Sequence, residues 1–437
     1  MTTEASVARA PTEADTAAPS AANSGGLFRW YREISPQERR TFWSCKVGYA
    51  LDAMDTQILS FVIPTLIGVW GLSKADAGLI GTCTLLASAA GGWVAGILSD
   101  RIGRVRALQI TILWFAVFTF LCGLAQNYEQ LLIARTLMGF GFGGEWTAGA
   151  VLIGEAIRAQ DRGKAVGMVQ AGWALGWGAS ALLYAWLFSV MPPETAWRAL
   201  FLVGIVPAVF VFFLRRLVKE PEVYQEAKSQ QTGGVGSSFF AIFSPRLLST
   251  TLRAAVLTTG AQGGYYAITT WLPTFLKTER HLTVLGTGGY LAVVIIGSYI
   301  GYLTSAVLTD RLGRKRNFIL FAAGSMVVAL VYTQLDVTDS LMLVLGLPLG
   351  FFASGIFAGM GAFLTELFPT SVRGSGQGFC YNVGRAVGAS FPFLIGQVSA
   401  HSSLGHAIGI FAAGAYGLLI LAALTLPETR GRELESI

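Results

Sequence analysis

The sequence has 437 residues, of which 53% are hydrophobic and only 13% are charged, with a mean hydropathy of +0.57. Soluble domains usually carry about a quarter charged residues, so this composition excludes an ordinary soluble protein and predicts a polytopic membrane protein. The net charge of +6 comes from arginines and lysines in alternate connections between apolar segments, which indicates membrane topology and not nucleic-acid binding.

Residues 1–25 are rich in Ala, Thr, Ser, Glu and Pro and contain no apolar core. We expect them to form a disordered cytoplasmic tail and not a signal peptide. From about Phe42 to Leu426 the chain contains about twelve apolar stretches, each long enough to span a bilayer. The basic connections place both termini in the cytoplasm, which requires an even number of spans.

The first predicted span contains two carboxylates, Asp52 and Asp55. Their spacing of three residues places them on one face of a helix. An ionised carboxylate inside a membrane is costly, so its presence suggests a function, and two nearby carboxylates favour proton uptake. The alternative is structural: one of them caps an interrupted helix or pairs permanently with Lys46 or an arginine.

A motif after the second span recurs later in the chain. Gly96-Ile-Leu-Ser-Asp-Arg-Ile-Gly-Arg104 is followed 210 residues on by Ala306-Val-Leu-Thr-Asp-Arg-Leu-Gly-Arg314. Two homologous six-helix halves are therefore predicted, with a binding site near the membrane midplane where they meet. We expect an N-terminal bundle over 26–218, a cytoplasmic linker over 219–249, a C-terminal bundle over 250–427 and a cytoplasmic tail over 428–437.

The fourth predicted span carries Arg135 and Glu145 among glycines and apolar residues. Buried ions need partners. Arg135 is a candidate to balance an aspartate of the first span. Glu145 is expected to face either the central cavity or an arginine across the meeting surface of the halves.

Polar and aromatic side chains repeat at helical spacing in three further spans. Such rings suit a flat organic acid, but Trp and Tyr are also common at membrane interfaces, so both interpretations stay open. Arg385 is the strongest substrate candidate because a guanidinium matches a carboxylate with two hydrogen bonds. The alternative for Arg385 is a permanent ion pair with Glu145 or an aspartate of the first span. The candidate substrate-binding residues are Gln170, Trp173 and Trp177 in the fifth span, Gln262, Tyr265 and Tyr266 in the seventh, and Gln377, Tyr381, Asn382 and Arg385 in the eleventh.

Charged residues near the basic loops predict a cytoplasmic gate. The aspartates of the repeated motif are expected to bind helix N-termini of the opposite half, and its arginines to pair with glutamates at the inner helix ends. Such contacts would hold the inner mouth shut in one state, while the arginines also anchor to lipid headgroups. The predicted gate residues are Asp100, Arg101, Arg104, Glu155, Arg162, Asp310, Arg311, Arg314, Glu366 and Arg373.

Several motifs together resemble the major facilitator superfamily. They are the doubled Asp-Arg-x-Gly-Arg loop, Arg135-x-x-x-Gly139-x-Gly141, and Pro427-Glu-Thr-Arg-Gly-Arg-x-Leu434. Asp52-Ala-Met-Asp55 and Gly143-Gly-Glu145-Trp146 are similar to the metabolite:proton symporters, especially the aromatic-acid and sialate branches, although Ala53 replaces a usual glycine. The resemblance implies a twelve-helix, all-α membrane fold and a coupling role for Asp55, Arg135 and Glu145.

We therefore expect proton-coupled import of a small organic acid across the inner membrane. The expected partners are the organic anion, a proton and membrane lipid, with no nucleic acid, no cofactor and no metal, and a monomer is expected. An enzyme is not expected. Alternatives are a sugar or other metabolite symporter, a drug:proton antiporter, whose usual proline is missing from the fifth span, and a nutrient sensor, which would usually carry long cytoplasmic extensions.

Overall fold

The regular structure of the described chain is helical. The computed structural model describes residues 29–156, 162–206, 209, 218, 241–368 and 373–430, for some of which only the backbone is placed. Within these ranges there are α-helices and one 3-10 turn, Ala241–Phe243, and no strand. The first half contains α1 Arg29–Glu33, α2 Pro36–Trp70, α3 Lys74–Ile102, α4 Arg104–Leu124, α5 Tyr128–Ala156, α6 Arg162–Gln170, α7 Gly172–Val190 and α8 Pro193–Val203.

The second half repeats the same sequence of long helices. It contains α9 Leu248–Thr278, α10 Val284–Leu312, α11 Arg314–Gln334, α12 Asp339–Leu367, α13 Arg373–Gly388, α14 Ser390–Val398 and α15 Leu404–Thr425.

Eight helical stretches among the described residues are long and apolar enough to cross a membrane. They lie in α2, α3, α4, the consecutive α6 and α7, α10, α11, α12 and α15. The long helices α5 and α9 also have the length to span a bilayer, but their glycines and polar side chains lower their hydropathy. The protein is therefore a multi-pass membrane protein, and the count of twelve spans stays a prediction.

Four of the long helices begin at a hydroxyl side chain that accepts a hydrogen bond from the first turn. Ser35 and Glu38 form a reciprocal capping box at the start of α2. Thr283, Thr338 and Ser403 accept backbone N–H bonds at the starts of α10, α12 and α15. These caps fix the ends of long helices whose orphan N–H groups would otherwise need other acceptors.

The repeat seen in the sequence is present in the backbone. Gly103 and Gly313 separate α3 from α4 and α10 from α11, with φ of 109° and 96° and ψ of 154° and 160°. Residues that carry a Cβ rarely adopt a φ in this positive range, so the motif needs glycine at this position. The similar backbone conformations of these two glycines, 210 residues apart, show that the halves fold alike here.

Close helix contacts repeat as well. Gly139 of α5 lies against the Thr84 carbonyl of α3, and Gly350 of α12 lies against the Val294 carbonyl of α10. A Cβ at either glycine would collide with that carbonyl oxygen. Small residues allow helices in a membrane to approach this closely. Here they bring α5 against α3 in the first half and α12 against α10 in the second.

The two halves meet along α3 and the broken helix α13–α14. Gly78 packs against Pro392, and Gly396 packs against the Lys74 carbonyl. The Phe393 amide donates to Thr82 Oγ1 at 3.3 Å. These contacts bring the middle of α3 next to α13, where the candidate substrate residues lie.

Candidate functional site

Arg385 is a buried cation at the meeting surface of the two halves. Its side chain is only 3% exposed. Nη1 donates to Ser88 Oγ of α3 at 2.9 Å, while the guanidinium carbon lies 5.3 Å from the Phe142 ring centre and 5.1 Å from the Tyr381 ring centre. Among the described side chains no carboxylate forms an ion pair with Arg385, and Nε has no acceptor. The permanent ion pair considered above is thus not formed in this structure.

Phe142 and Tyr381, the two rings against this guanidinium, belong to a connected group of aromatic side chains from both halves, which we refer to as the aromatic cluster. The ring centres of Trp146 and Tyr381, which belong to opposite halves, are 5.7 Å apart. Tyr49 lies 5.3 Å from Trp146 and 5.3 Å from Trp173. The cluster comprises Tyr49, Phe142, Trp146, Trp173, Tyr265 and Tyr381.

A hydrogen bond within the aromatic cluster joins the halves directly. Trp173 Nε1 donates to the Tyr265 hydroxyl at 2.6 Å. Both side chains are buried. Two of the candidate substrate-binding residues, one from the fifth predicted span and one from the seventh, are therefore in contact.

Gln262 and Tyr266 extend the polar lining along α9. The Tyr266 hydroxyl donates to Gln262 Oε1 at 3.0 Å, and Gln262 Nε2 donates to the Tyr381 carbonyl at 2.8 Å. Gln262 thus fixes α9 against α13 and also orients the neighbouring tyrosine. These three predicted residues lie together beside Arg385.

A second buried charge site lies inside the first half. Asp55 is 1% exposed, and its Oδ2 accepts a hydrogen bond from Thr119 Oγ1 at 2.8 Å. Arg135 donates to the Asp55 and Thr56 carbonyls, each at 3.4 Å, and lies 5.6 Å from the Phe201 ring centre. Arg135 therefore approaches Asp55 through its backbone and not through a carboxylate ion pair.

Asp52 and Glu145 are also buried within the first half. Lys46, considered as a permanent partner for an aspartate, lies instead near the rings of Phe42 and Trp43. The first half thus encloses three carboxylates that a soluble helix would expose.

The remaining predicted substrate-binding residues form no hydrogen bond with Arg385 in the part of the chain that the structure describes. Gln377 is partly buried, and Asn382 Nδ2 donates to the Gly378 carbonyl of its own helix at 3.0 Å. Gln170 and Trp177 are buried, and within the described chain Gln170 Oε1 and Trp177 Nε1 have no hydrogen-bond partner. Their roles stay predictions.

One pair of the predicted gate is formed. Arg314 binds Glu366 through two bonds, Nη2 to Oε1 at 2.8 Å and Nε to Oε2 at 3.2 Å, and Thr429 Oγ1 also donates to Glu366. Glu428 accepts from the backbone N–H groups of Arg314 at 2.8 Å and Lys315 at 3.1 Å, at the start of α11. Burial disfavours the Glu428 charge, but these amides outweigh it and lower the pKa of Glu428.

The Arg314–Glu366 pair connects two helices of the second half, so by itself it does not bridge the halves. Arg311 is exposed. The other predicted gate residues have side chains outside the described part of the structure: Asp100, Arg101, Arg104, Glu155, Arg162, Asp310 and Arg373.

Sequence reasoning missed several residues around Arg385. Ser88, Phe142 and Tyr49 were not singled out, and Trp146 appeared only as part of a motif. Tyr49 lies three residues before Asp52, so helical spacing could have placed both on one face. No one-dimensional signal marks Ser88, because its partner lies 297 residues away.

The chain matches a family model described as the Major Facilitator Superfamily over residues 47–305 and 290–436. It is 44% identical over 414 residues to a probable 4-methylmuconolactone transporter of Cupriavidus pinatubonensis, covering 94% of this chain and 95% of that protein. It is 31% identical over 392 residues to the cis,cis-muconate transport protein of Acinetobacter baylyi, covering 86% and 92%. The crystal structure of a D-xylose-proton symporter superposes with a TM-score of 0.72 at 20% identity, covering 91% of this chain and 100% of that one.

Proposed function

The chain belongs to the Major Facilitator Superfamily, and from this premise we propose that it couples proton entry to the import of a small organic acid. The protein is a membrane transporter and not an enzyme. Its fold is the one adopted by the superfamily's proton symporters.

The observation that carries the proposal is the environment of Arg385. A buried cation is costly unless an anion or several acceptors offset its desolvation. Arg385 donates a hydrogen bond to Ser88 and interacts with the neutral side chains of Tyr266 and Tyr381, but no carboxylate among the described side chains pairs with it. A substrate carboxylate at the Nε edge would supply the missing negative charge and a charge-assisted hydrogen bond.

The aromatic cluster supports a flat or ring-bearing acid. Tyr49, Trp146 and Tyr381 offer large apolar faces, and the hydroxyl and indole groups at their edges provide hydrogen bonds. The relatives from Cupriavidus pinatubonensis and Acinetobacter baylyi, named for 4-methylmuconolactone and cis,cis-muconate transport, support acids of this kind.

Asp55 is our candidate for the proton. It is buried, it accepts a hydrogen bond from Thr119, and its backbone carbonyl is bound by Arg135. Its Oδ1 has no hydrogen-bond donor among the described residues. A proton bound at Oδ1 would remove the negative charge from this buried oxygen, which no donor offsets. Asp52 and Glu145, buried in the same half, are the other candidates.

The coupling follows from charge neutralisation. When the carboxylate occupies Arg385 and a proton occupies Asp55, both buried charges are offset, and the halves 26–218 and 250–427 can rock about the site to expose it to the other side. The charged residues of the basic loops, including the Arg314–Glu366 pair, would stabilise one of the two end states.

We further propose that the protein works as a monomer in the inner membrane of a bacterium, with both termini in the cytoplasm and with lipid headgroups contacting its basic loops. The alternate distribution of arginine and lysine supports this orientation.

Uptake into proteoliposomes tests the proposal. The purified protein is reconstituted, an inward proton gradient is imposed, and radiolabelled 4-methylmuconolactone, cis,cis-muconate and benzoate are supplied in turn. We expect at least one acid to accumulate in the parent protein. Arg385→Gln, which keeps a polar side chain without charge, should reduce that accumulation by about 100-fold or more, since a charge-assisted pair contributes about 3 kcal/mol. Parental uptake by Arg385→Gln would remove Arg385 from the site.

A further inference from the structure

We propose that Ser88 is a positioning residue that supplies the acceptor for Arg385 whenever no substrate anion does, and thereby allows the unloaded carrier to reorient. The inference rests on the proposed function, because it assumes that Arg385 binds the transported acid. It concerns a different step of the cycle, the return of the carrier without cargo.

The Ser88–Arg385 hydrogen bond connects the two halves. Ser88 lies in α3 of the first half and is fully buried, while Arg385 lies in α13 of the second half. The Arg385 Nη1 to Ser88 Oγ distance is 2.9 Å. This bond forms only when the halves approach each other at this depth.

The Ser88 backbone is held in place by α5. Gly143 lies so close to the Ser88 carbonyl that a Cβ at this glycine would collide with it. One turn earlier in α5, Gly139 meets the Thr84 carbonyl in the same way. The hydroxyl of Ser88 thus reaches Arg385 from a closely packed helix pair of the first half.

The other contacts of the guanidinium cannot replace this acceptor. Phe142 provides a ring contact only, and the side chains of Tyr381 and Tyr266, which also interact with the guanidinium, form no hydrogen bond to it as well directed as that of Ser88. Nε has no protein acceptor among the described residues. Among the described residues, Ser88 Oγ is therefore the acceptor that forms a short, well-directed hydrogen bond with Arg385, at 2.9 Å. Without it, closing the halves around an anion-free site would bury a cation that has lost its one well-formed hydrogen bond and still lacks an acceptor at Nε.

A bound carboxylate changes this requirement. It carries a full negative charge and can accept two hydrogen bonds from a guanidinium, whereas a neutral hydroxyl offsets less of the buried charge. Loss of Ser88 should thus matter little to the loaded carrier and much to the unloaded one. Net uptake needs the unloaded carrier to return, but exchange of acid for acid does not.

The repeat provides a matched control. Ser298 in α10 is the residue 210 positions after Ser88 and is also buried, but its hydroxyl donates to the Val294 carbonyl of its own helix at 3.0 Å. Ser298→Ala removes a buried hydroxyl from the equivalent helix without touching Arg385. We expect it to behave as the parent protein does.

The experiment compares two transport modes in the same proteoliposomes, using whichever of 4-methylmuconolactone, cis,cis-muconate or benzoate the parent protein accumulates. Net proton-driven uptake and exchange against the same unlabelled acid are measured for Ser88→Ala, Ser88→Thr and Ser298→Ala. We expect Ser88→Ala to slow net uptake about tenfold or more, the effect of losing one hydrogen bond to a charged group, and to leave exchange near the parental rate. Ser88→Thr, which keeps the hydroxyl, should restore net uptake.

Equal loss of net uptake and exchange in Ser88→Ala would indicate a structural role and overturn the inference. Parental net uptake in that variant would overturn it as well. If Ser88→Ala does not fold, Ser88→Cys replaces it, since its sulfur is a much weaker acceptor of similar size. Failure of the proposed function is distinct: it appears as no acid uptake by the parent, or as parental uptake by Arg385→Gln.

Discussion

The hydrogen bond between Trp173 and Tyr265 offers a direct measure of how strongly the halves hold each other in this arrangement. Tyr265→Phe removes the hydroxyl that accepts from Trp173 Nε1 at 2.6 Å but keeps the ring and its edge contact with Phe357, whose centre is 5.3 Å away. The indole N–H is then left buried without its acceptor. We expect the folded protein to be less stable.

The size of the effect follows from the burial of both groups. Hydrogen bonds between helices in membranes contribute on average about 0.6 kcal/mol and at most about 1.7 kcal/mol. A buried donor that loses its acceptor costs about 1–3 kcal/mol. Because Trp173 and Tyr265 are both buried and their bond is short, we expect Tyr265→Phe to lower the free energy of unfolding by about 1.5 kcal/mol.

Unfolding by SDS in mixed detergent micelles, followed by circular dichroism, measures this free energy. Tyr265→Phe, Trp173→Phe and the double variant form a double-mutant cycle, for which we expect a coupling of about 1 kcal/mol. Tyr332→Phe is the matched control, since Tyr332 is a fully buried tyrosine of the second half whose hydroxyl has no hydrogen-bond partner among the described residues. It should leave stability unchanged or slightly raised.

A coupling energy close to zero would refute the argument that this bond holds the halves together. So would an equal destabilisation by Tyr332→Phe, because loss of any buried tyrosine hydroxyl would then explain the effect.

Two further substitutions test the other sites. Gly204→Ala would place a methyl group against Asp55 Oδ1, so we expect overpacking of about 1–3 kcal/mol and strongly reduced uptake, whereas Gly68→Ala, with open space around it, should match the parent in thermal unfolding and transport. Glu428→Gln removes a partly exposed charge from the α11 amides and should lower stability at pH 7 by about 0.5–1 kcal/mol. Because the pKa of Glu428 is lowered in the folded state, this contribution is present above its ordinary value of 4.5 and is lost as the pH falls below it, so the parent and Glu428→Gln should converge in acid. Equal melting temperatures of these two proteins at pH 7 would contradict this assignment.

Spacing within one helix predicted neighbours well. Tyr381 and Arg385, four residues apart, are in contact, and so are Gln262 and Tyr266. A helix brings residues four apart onto one face whatever surrounds it, so the sequence alone carries this information. The same spacing made Gln377 a candidate substrate-binding residue, although it is only partly buried. Helical spacing shows which residues share a face but not where along the helix a site ends.

Contacts between helices could not be predicted in the same way. Ser88 meets Arg385, and Thr119 meets Asp55, only after helices distant in the chain have packed together. Arg135 is a candidate to balance an aspartate, and the structure places it on the backbone carbonyls of that segment, within electrostatic reach of Asp55 but without a carboxylate ion pair. A long side chain such as Arg135 can reach several acceptor atoms of a neighbouring helix. Packing distances decide which of them it binds, and these distances cannot be read from the sequence.

The central claim is that acid and proton cross together, and simultaneous detection of both tests it most directly. Proteoliposomes enclosing a pH-sensitive dye are given the transported acid without an imposed proton gradient, and acid entry and internal pH are recorded together, with protein-free liposomes as the baseline for passive permeation. The account predicts internal acidification in step with acid entry, and the loss of this coupled signal in Asp55→Asn. Acid entry above the baseline at unchanged internal pH would contradict it.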